Sequence, residues 1–434
     1  MRSDSTADNR EAVDAAFEST ERGAVSPPPL PPAAVDGDPE TNEGWIVTPD
    51  RLPPPLPPPA PLPEPREEIS PYLRSQWVGG LSLAALLLAA GDSSLEQLVI
   101  TLPFVSLAAW GRAGDRLAAS RAMSVLWVLG LVALAAGAYG FLAQQVRAER
   151  AQGAPMPAGV PLPPGLPTQF SVTLLGGAAL LIAVVVLHPV SRRLAARLTP
   201  IDPNRFSHRL ALATSVSISF LLFGQLALSG GRPLMIELVR LGNESIRAAA
   251  SNTSAQELLQ GTFLVVPALL VAAGWGSFRG FRETLVRLGV VRPSVKQLVG
   301  GLAAAAILVI VVLSSEELLA SLLGSLNVPG TDEKTFDSMM QSLKNPLGAF
   351  AVGVSAGIQE ELAIRGLLQP RVGILASNLF FTSLHAPQYG LDGLIVVFIV
   401  GATLGVVRAR TNTSTSILVH AVYNFILVLG SATE

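Results

Sequence analysis

Runs of about 20 apolar residues recur along most of this chain, each long enough to cross the roughly 30 Å hydrocarbon core of a bilayer as a helix. Backbone N–H and C=O groups find no water there, so a spanning segment must satisfy them internally. Of the 434 residues, 50% are hydrophobic and 14% charged, and the mean hydropathy is +0.47. A soluble domain carries about 25% charged residues. So many long uncharged runs would leave a water-soluble protein too little polar surface. The expected fold class is all-α: a polytopic transmembrane helical bundle with roughly eleven membrane segments. They are placed near Trp77–Ala90, Leu95–Trp110, Ala122–Ala143, Phe170–Val190, Phe206–Ser229, Gly261–Phe278, Leu298–Ser314, Pro346–Ile364, Val372–Leu384, Leu391–Val407 and Ser416–Leu429.

The loops between these runs alternate in charge. Arg112, Arg116 and Arg121 mark one basic loop, Arg192, Arg193, Arg197 and Arg205 a second, and Arg279 to Lys296 a third. Arg408 and Arg410 mark the last. The intervening loops are neutral or acidic, as in Ser325–Lys344 with Asp332, Glu333 and Asp337. Under the positive-inside rule this puts the N-terminus in the cytoplasm of a multi-pass protein of the cell membrane. Leu234–Gln260 is a candidate amphipathic helix at the interface. Asn243-Glu244-Ser245 and Asn252-Thr253-Ser254 are short glycosylation sequons. No secretory signal peptide is visible, because Met1–Ser26 has no apolar stretch.

Three regions follow. Residues 1–75 carry 14 acidic and 6 basic side chains and are dense in proline from Ser26 to Pro65. Such a segment cannot bury enough apolar surface to offset its ordering entropy, and is expected to be a disordered cytoplasmic tail with polyproline II stretches. The proline runs are a candidate docking site for a protein domain. Residues 76–282 form an N-terminal transmembrane module of unknown role, and residues 283–434 the region that carries chemistry. The chain has no cysteine, which excludes disulfides, thiolate metal sites and a cysteine nucleophile. No nucleic-acid partner is expected.

Ionisable side chains inside a membrane are costly and mark functional sites. The last four segments hold three groups of them: Gln359-Glu360-Glu361 with Arg365 and Gly366, Phe381 with His385, and His420 with Asn424. Glu361 and Arg365 stand four residues apart on one helix and so share a face. Glu360 points about 100° away, which lets the two carboxylates serve different partners. His420 and Asn424 are likewise four apart. At about 1.5 Å per residue, all fall in the middle or cytoplasmic half of the bilayer core. A carboxylate in an apolar site can act as general base toward water, while imidazole and carboxamide donors can stabilise an oxyanion. That set suits amide hydrolysis without a covalent nucleophile. Ser355 stands in a Gly353-x-Ser355-x-Gly357 spacing, but within an apolar helical run and not at the strand-to-helix elbow which that motif requires, and Ser383 lacks the spacing. A glutamate and two histidines are also a zinc ligand set, although no HExxH helix is present.

In order and spacing these residues resemble the CAAX protease and bacteriocin-processing (CPBP, or Abi) family of intramembrane endopeptidases. Its pattern is EExxxR, FxxxH and HxxxN/D on successive membrane helices. Here it reads Glu360-Glu361-x-x-x-Arg365, Phe381-x-x-x-His385 and His420-x-x-x-Asn424. The resemblance is clear over Ser355–Leu429 and extends back to about Glu283. It implies an intramembrane endopeptidase acting on membrane-associated peptides, including prenylated CAAX C-termini. Glu360 and Glu361 would include the base, Arg365 would hold the carboxylates, and His385, His420 and Asn424 would position water or the oxyanion. It leaves open a metal-free glutamate mechanism and a zinc mechanism with Glu361, His385 and His420 as ligands. The rival readings are a proton-coupled transporter and a non-catalytic membrane scaffold using the same polar residues.

Overall fold

Helix boundaries along the chain are set by local caps as much as by hydropathy. The computed structural model describes residues 69–90, 92, 95–151, 168–242 and 253–432. Residues 1–68, which hold nearly all of the proposed tail, the proline-rich loop 153–167 and the asparagines of both sequons lie outside the described residues. The described part is helical, and residues 67–434 form one compact unit. The first helices are α1 (Ser70–Ala89), α2 (Glu96–Ala113), α3 (Ala118–Ala151), α4 (Gln169–Leu187) and the short α5 (Arg192–Leu198). Then come α6 (Phe206–Leu228), the short α7 (Leu234–Arg240), α8 (Ala255–Ala273) and α9 (Phe281–Leu288). The C-terminal part comprises α10 (Val295–Ser325), α11 (Glu333–Met340), α12 (Pro346–Glu360), a π-helical segment (Glu361–Leu368), α13 (Gln369–Ser383), α14 (Leu391–Arg410) and α15 (Thr413–Gly430).

Side-chain caps start several of these helices by satisfying amides that the first turn leaves open. Ser254 with Glu257 and Ser294 with Gln297 form capping boxes at α8 and α10. Asn345 accepts from Gly348 N at 3.0 Å ahead of α12, and Asn412 from Thr415 N at 2.9 Å ahead of α15. Left-handed glycines end two helices, Gly274 after α8 and Gly289 after α9.

Eight helical stretches among the described residues are long and apolar enough to cross a membrane. Nine of the eleven expected segments fall within them. The first two do not qualify: α1 and α2 carry too many polar residues, and they pack along one another. The stretch Pro346–Ser383 contains two expected segments, and it is not straight. Gly373 sits at φ 85° and ψ 174°, a conformation open to glycine alone. The chain reverses there, because Phe381 packs its ring 4.5 Å from the Arg365 guanidinium, although 16 helical residues would separate them by about 24 Å. Residues 243–252 of the expected interfacial helix lie outside the described residues; its first part is the short α7, whose Leu234 and Leu238 are buried in the main apolar cluster, and α8 begins at Ala255.

Lipid tails are as apolar as leucine, so helices associate here through close packing and hydrogen bonds more than through apolar burial. Leu181, Phe263, Ile307 and Ile310 accordingly stay exposed on the outside. Two small-residue pairs bring backbones together. Gly353 and Gly357 of α12 face Ala421 of α15; a Cβ at Gly353 would lie 2.5 Å from Ala421 O. Gly401 and Gly405 of α14 face α13 and the π segment. The carbonyl of Gly401 accepts from Arg365 Nη2 at 2.8 Å, and that of Gly405 from Gln369 Nε2 at 2.9 Å. The N-terminal spans are not a detached layer. One apolar cluster joins Val128, Val132 and Leu221 of α3 and α6 to Ile364, Phe380 and Phe381 beside the motif residues.

Gly373→Ala and Gly353→Ala should each destabilise the folded protein by about 1–3 kcal/mol, through backbone strain and overpacking respectively. Gly300→Ala, where a Cβ meets nothing within 4 Å, should not. Thermal melting of the three variants in detergent checks this, and indistinguishable melting temperatures would contradict the packing described.

Candidate active site

The centre of the site is a carboxylate with no access to water. Glu361 is 0% exposed, at the start of the π segment. Its Oε2 accepts from Ser416 Oγ, and its Oε1 lies 3.0 Å from His420 Nδ1 and 3.3 Å from Arg365 Nη1. A buried charge persists only when paired and hydrogen-bonded, and this one is both. Arg365, also buried, spends a second donor on Gly401 O and lays its guanidinium over Phe381. The pair therefore ties the π segment to α15, α14 and α13. A π-helical turn at such a place fits the general association of wide turns with functional sites.

Glu360 faces the other way. Its side chain is 35% exposed, and its Oε2 is 3.8 Å from His420 Nε2. His420 thus stands between the two carboxylates, turning Nδ1 to Glu361 and Nε2 to Glu360. A carboxylate only accepts, so the proton on Nδ1 is the one shared with Glu361. Beyond Glu360 opens a cavity of ≈ 1370 Å³, whose wall includes Glu360, His385, His420 and Asn424. His385 Nδ1 lies 3.0 Å from Phe381 O. A carbonyl can only accept, which leaves the lone pair of the neutral ring on Nε2. Asn424 is half-buried on the cavity wall, one turn beyond His420, and its carboxamide has no hydrogen-bond partner among the described residues.

All six motif residues thus lie on the cavity or directly behind it. Glu361 and Arg365 are the two that do not line it. The structure adds partners that the motifs did not name. Ser416 precedes His420 by four residues, as His420 precedes Asn424, so that spacing was the available signal. Tyr389 follows His385 by four and stacks on it with ring centroids 6.1 Å apart. Burial, and then the negative charge of Glu360, push the Tyr389 phenol up to about 12. The phenol is therefore a proton donor at neutral pH. Gln359 Nε2 donates to Thr262 Oγ1 at 2.8 Å and to Gln97 Oε1 at 3.0 Å, which links the residue beside Glu360 to α8 and α2. Nothing in the sequence pattern pointed to Gln97. Ser355 and Ser383 have structural partners, Ser355 with Thr262 at 2.9 Å and Ser383 with Ser219 at 3.2 Å.

A zinc site needs three side chains whose lone pairs are free to converge on the metal. The trio of Glu361, His385 and His420 does not fit one as it stands. Both oxygens of Glu361 are taken by Ser416, His420 and Arg365, and His420 turns toward Glu361 the nitrogen that carries the shared proton. Among the described residues no group of three His, Asp or Glu is placed to hold a metal ion.

Residues 342–426 match the family model described as type II CAAX prenyl endopeptidase Rce1-like. No curated protein and no solved structure matches the chain. The matched stretch holds all six motif residues, so the chain is a multi-pass membrane protein whose residues 342–426 form an Rce1-like, type II CAAX prenyl endopeptidase domain of the CPBP family.

Proposed function

We propose that the protein hydrolyses peptide bonds near the C-terminus of prenylated or otherwise membrane-anchored proteins, with Glu360 as the base that activates water. The observation that carries this reading is the division of labour between two adjacent glutamates. Glu361 is saturated and sealed, whereas Glu360 is part-exposed at the cavity beside His420. Only the second can reach a water molecule and a substrate carbonyl.

In the proposed reaction the water hydrogens are held by Glu360 and by the free lone pair of His385. Glu360 removes one proton as the water oxygen bonds to the scissile carbonyl carbon. The carbonyl π electrons move onto oxygen, and the resulting oxyanion is stabilised by the Asn424 carboxamide N–H and the Tyr389 hydroxyl. The oxyanion collapses as the C–N bond breaks, and Glu360 returns its proton to the leaving nitrogen. Glu361 and Arg365 take no part in proton transfer. They hold His420 and Phe381, and hence the site's geometry.

The cavity supports the substrate class. It exceeds the roughly 300–1,000 Å³ of a drug-sized pocket. Val309, Val312 and Leu313 of α10 and Val396, Val397 and Val400 of α14 make an apolar wall that a prenyl chain would fit. The peptide would lie along the opposite side, against Glu360, His385 and Asn424.

Purified protein in lipid should cleave a fluorogenic CAAX peptide, and a prenylated one more efficiently. Glu360→Gln should lower kcat by at least about 10²-fold, the scale of a lost general base, and a strong chelator should leave wild-type cleavage unchanged. Wild-type rates in the variant, or cleavage abolished by the chelator, would overturn the assignment of Glu360. Asn424→Ala should lower kcat about 10²–10³-fold with little change in KM, as expected of a donor that acts on the oxyanion. A rise in KM at constant kcat would instead make Asn424 a binding residue.

A further inference from the structure

A second cluster of buried charge lies at the end of the bundle where α2 and α8 terminate, and the proposed reaction makes no use of it. Arg112, the next-to-last residue of α2, is only 9% exposed. Its Nη2 donates to Ala272 O and, at 3.4 Å, to Val271 O. Its guanidinium lies 5.6 Å from the centre of the Phe278 ring, and its Nε and Nη1 are buried with no hydrogen-bond partner. Arg279 comes to the same spot. A Cβ on Gly274 would lie 2.9 Å from Arg112 Nη1 and 3.0 Å from Arg279 Nη1, so the two guanidinium groups meet over this glycine. Arg279 Nη1 donates to Ala273 O at 3.0 Å.

Two more arginines act on the same charge. Burial first, and then the positive charges of Arg371, Arg279 and Arg287, hold the Arg112 guanidinium well below its ordinary value. Arg287 is lowered as well, by burial and then by Arg279 and Arg408. The acceptors found by the four arginines are backbone carbonyls: those at the end of α8, Gly366 O for Arg287 and Leu367 O for Arg371. The end of a helix offers only about half a negative charge. The carboxylate that acts on Arg112 is Asp115, and its two oxygens accept from Ser207 N at 2.9 Å and Ser207 Oγ at 2.8 Å. Arg112 and Arg279 therefore share the end of α8, Arg287 and Arg371 have single carbonyls of the π segment, and the carboxylate that acts on Arg112 is already engaged. Like charges held together and partly desolvated repel strongly, and orphaned buried donors call for a missing partner.

We propose that Arg112, Arg279, Arg287 and Arg371 form a binding site for a phosphate group. Guanidinium forks match phosphate oxygens, and basic pockets between membrane helices take lipid headgroups. An anionic phospholipid and a soluble phosphate share this chemistry. Binding would neutralise the cluster and stabilise the junction of α2, α8 and the π segment, while remaining separate from the cavity beside Glu360.

The test uses the full-length protein in detergent, titrated with phosphatidylglycerol, with phosphatidylcholine, or with millimolar inorganic phosphate. Retained lipid is read by native mass spectrometry and stability by thermal melting. Arg279→Gln with Arg287→Gln removes two half-buried members and leaves Arg112 in place. Arg282→Gln with Arg410→Gln removes the same charge from exposed positions. Wild type and the exposed-pair variant should retain phosphatidylglycerol in preference to phosphatidylcholine and melt higher with it. The Arg279/Arg287 variant should bind at least about tenfold more weakly. Stabilisation by inorganic phosphate alone, lost in the same variant, would support the site and assign it to a soluble phosphate. Equal binding of the two lipids by wild type with no response to phosphate, or equal losses in both double variants, would overturn the proposal and leave the arginines as caps of α8.

Discussion

The Glu361–Arg365 pair is the interaction on which the rest of the catalytic region depends. In a bundle surrounded by lipid, a charge facing inward must be matched by specific partners, because no water is at hand to replace them. Glu361 recruits Ser416 and His420 from α15. Arg365 recruits Gly401 from α14 and the ring of Phe381 from α13. Four helical segments are thus fixed around two side chains. Such a pair adds little net stability over apolar packing of equal volume, but removing one partner leaves a buried charge uncompensated. Its value here is geometric: it determines where His420 points and how far Glu360 stands from it.

The glycines make this convergence feasible. Gly353 and Gly357 admit α15 close enough for Glu361 to reach Ser416, and Gly401 lets its own carbonyl meet Arg365. Gly373 returns the chain so that Phe381 and His385 face the helix they follow. The N-terminal spans contribute as well. Leu142 of α3 and Gln97 of α2 line the same cavity as the motif residues, and Gln97 holds Gln359. A domain match confined to residues 342–426 therefore covers the six motif residues but not the whole wall of the cavity.

Much of the site was legible in the sequence because its parts are local. Four-residue spacing places Glu361 beside Arg365 and His420 beside Asn424 whatever the tertiary structure, and a charged residue in an apolar run announces itself. The split between Glu360 and Glu361 also followed from helix geometry, since neighbours on a helix point apart. What was not legible depends on contacts between distant segments. The reversal at Gly373 looks in sequence like two ordinary spans. Ser416 looks like a cap residue near a helix start until Glu361 is placed against it. Gln97 lies 262 residues from its partner, in a segment too polar to qualify as a span. The segments that became α1 and α2 are long enough to cross, and it is their polar residues that set them apart from the eight more apolar stretches.

The central claim is that two adjacent glutamates have different jobs, one holding the helices together and one doing the chemistry. Thermal melting of Glu360→Gln beside Glu361→Gln, in the same detergent and with cleavage followed in parallel, tests it most directly. The account predicts that Glu360→Gln melts like wild type and does not cleave, whereas Glu361→Gln melts markedly lower because Arg365 loses its buried counter-charge. A Glu361→Gln protein as stable as wild type, or a Glu360→Gln protein that still cleaves, would contradict it.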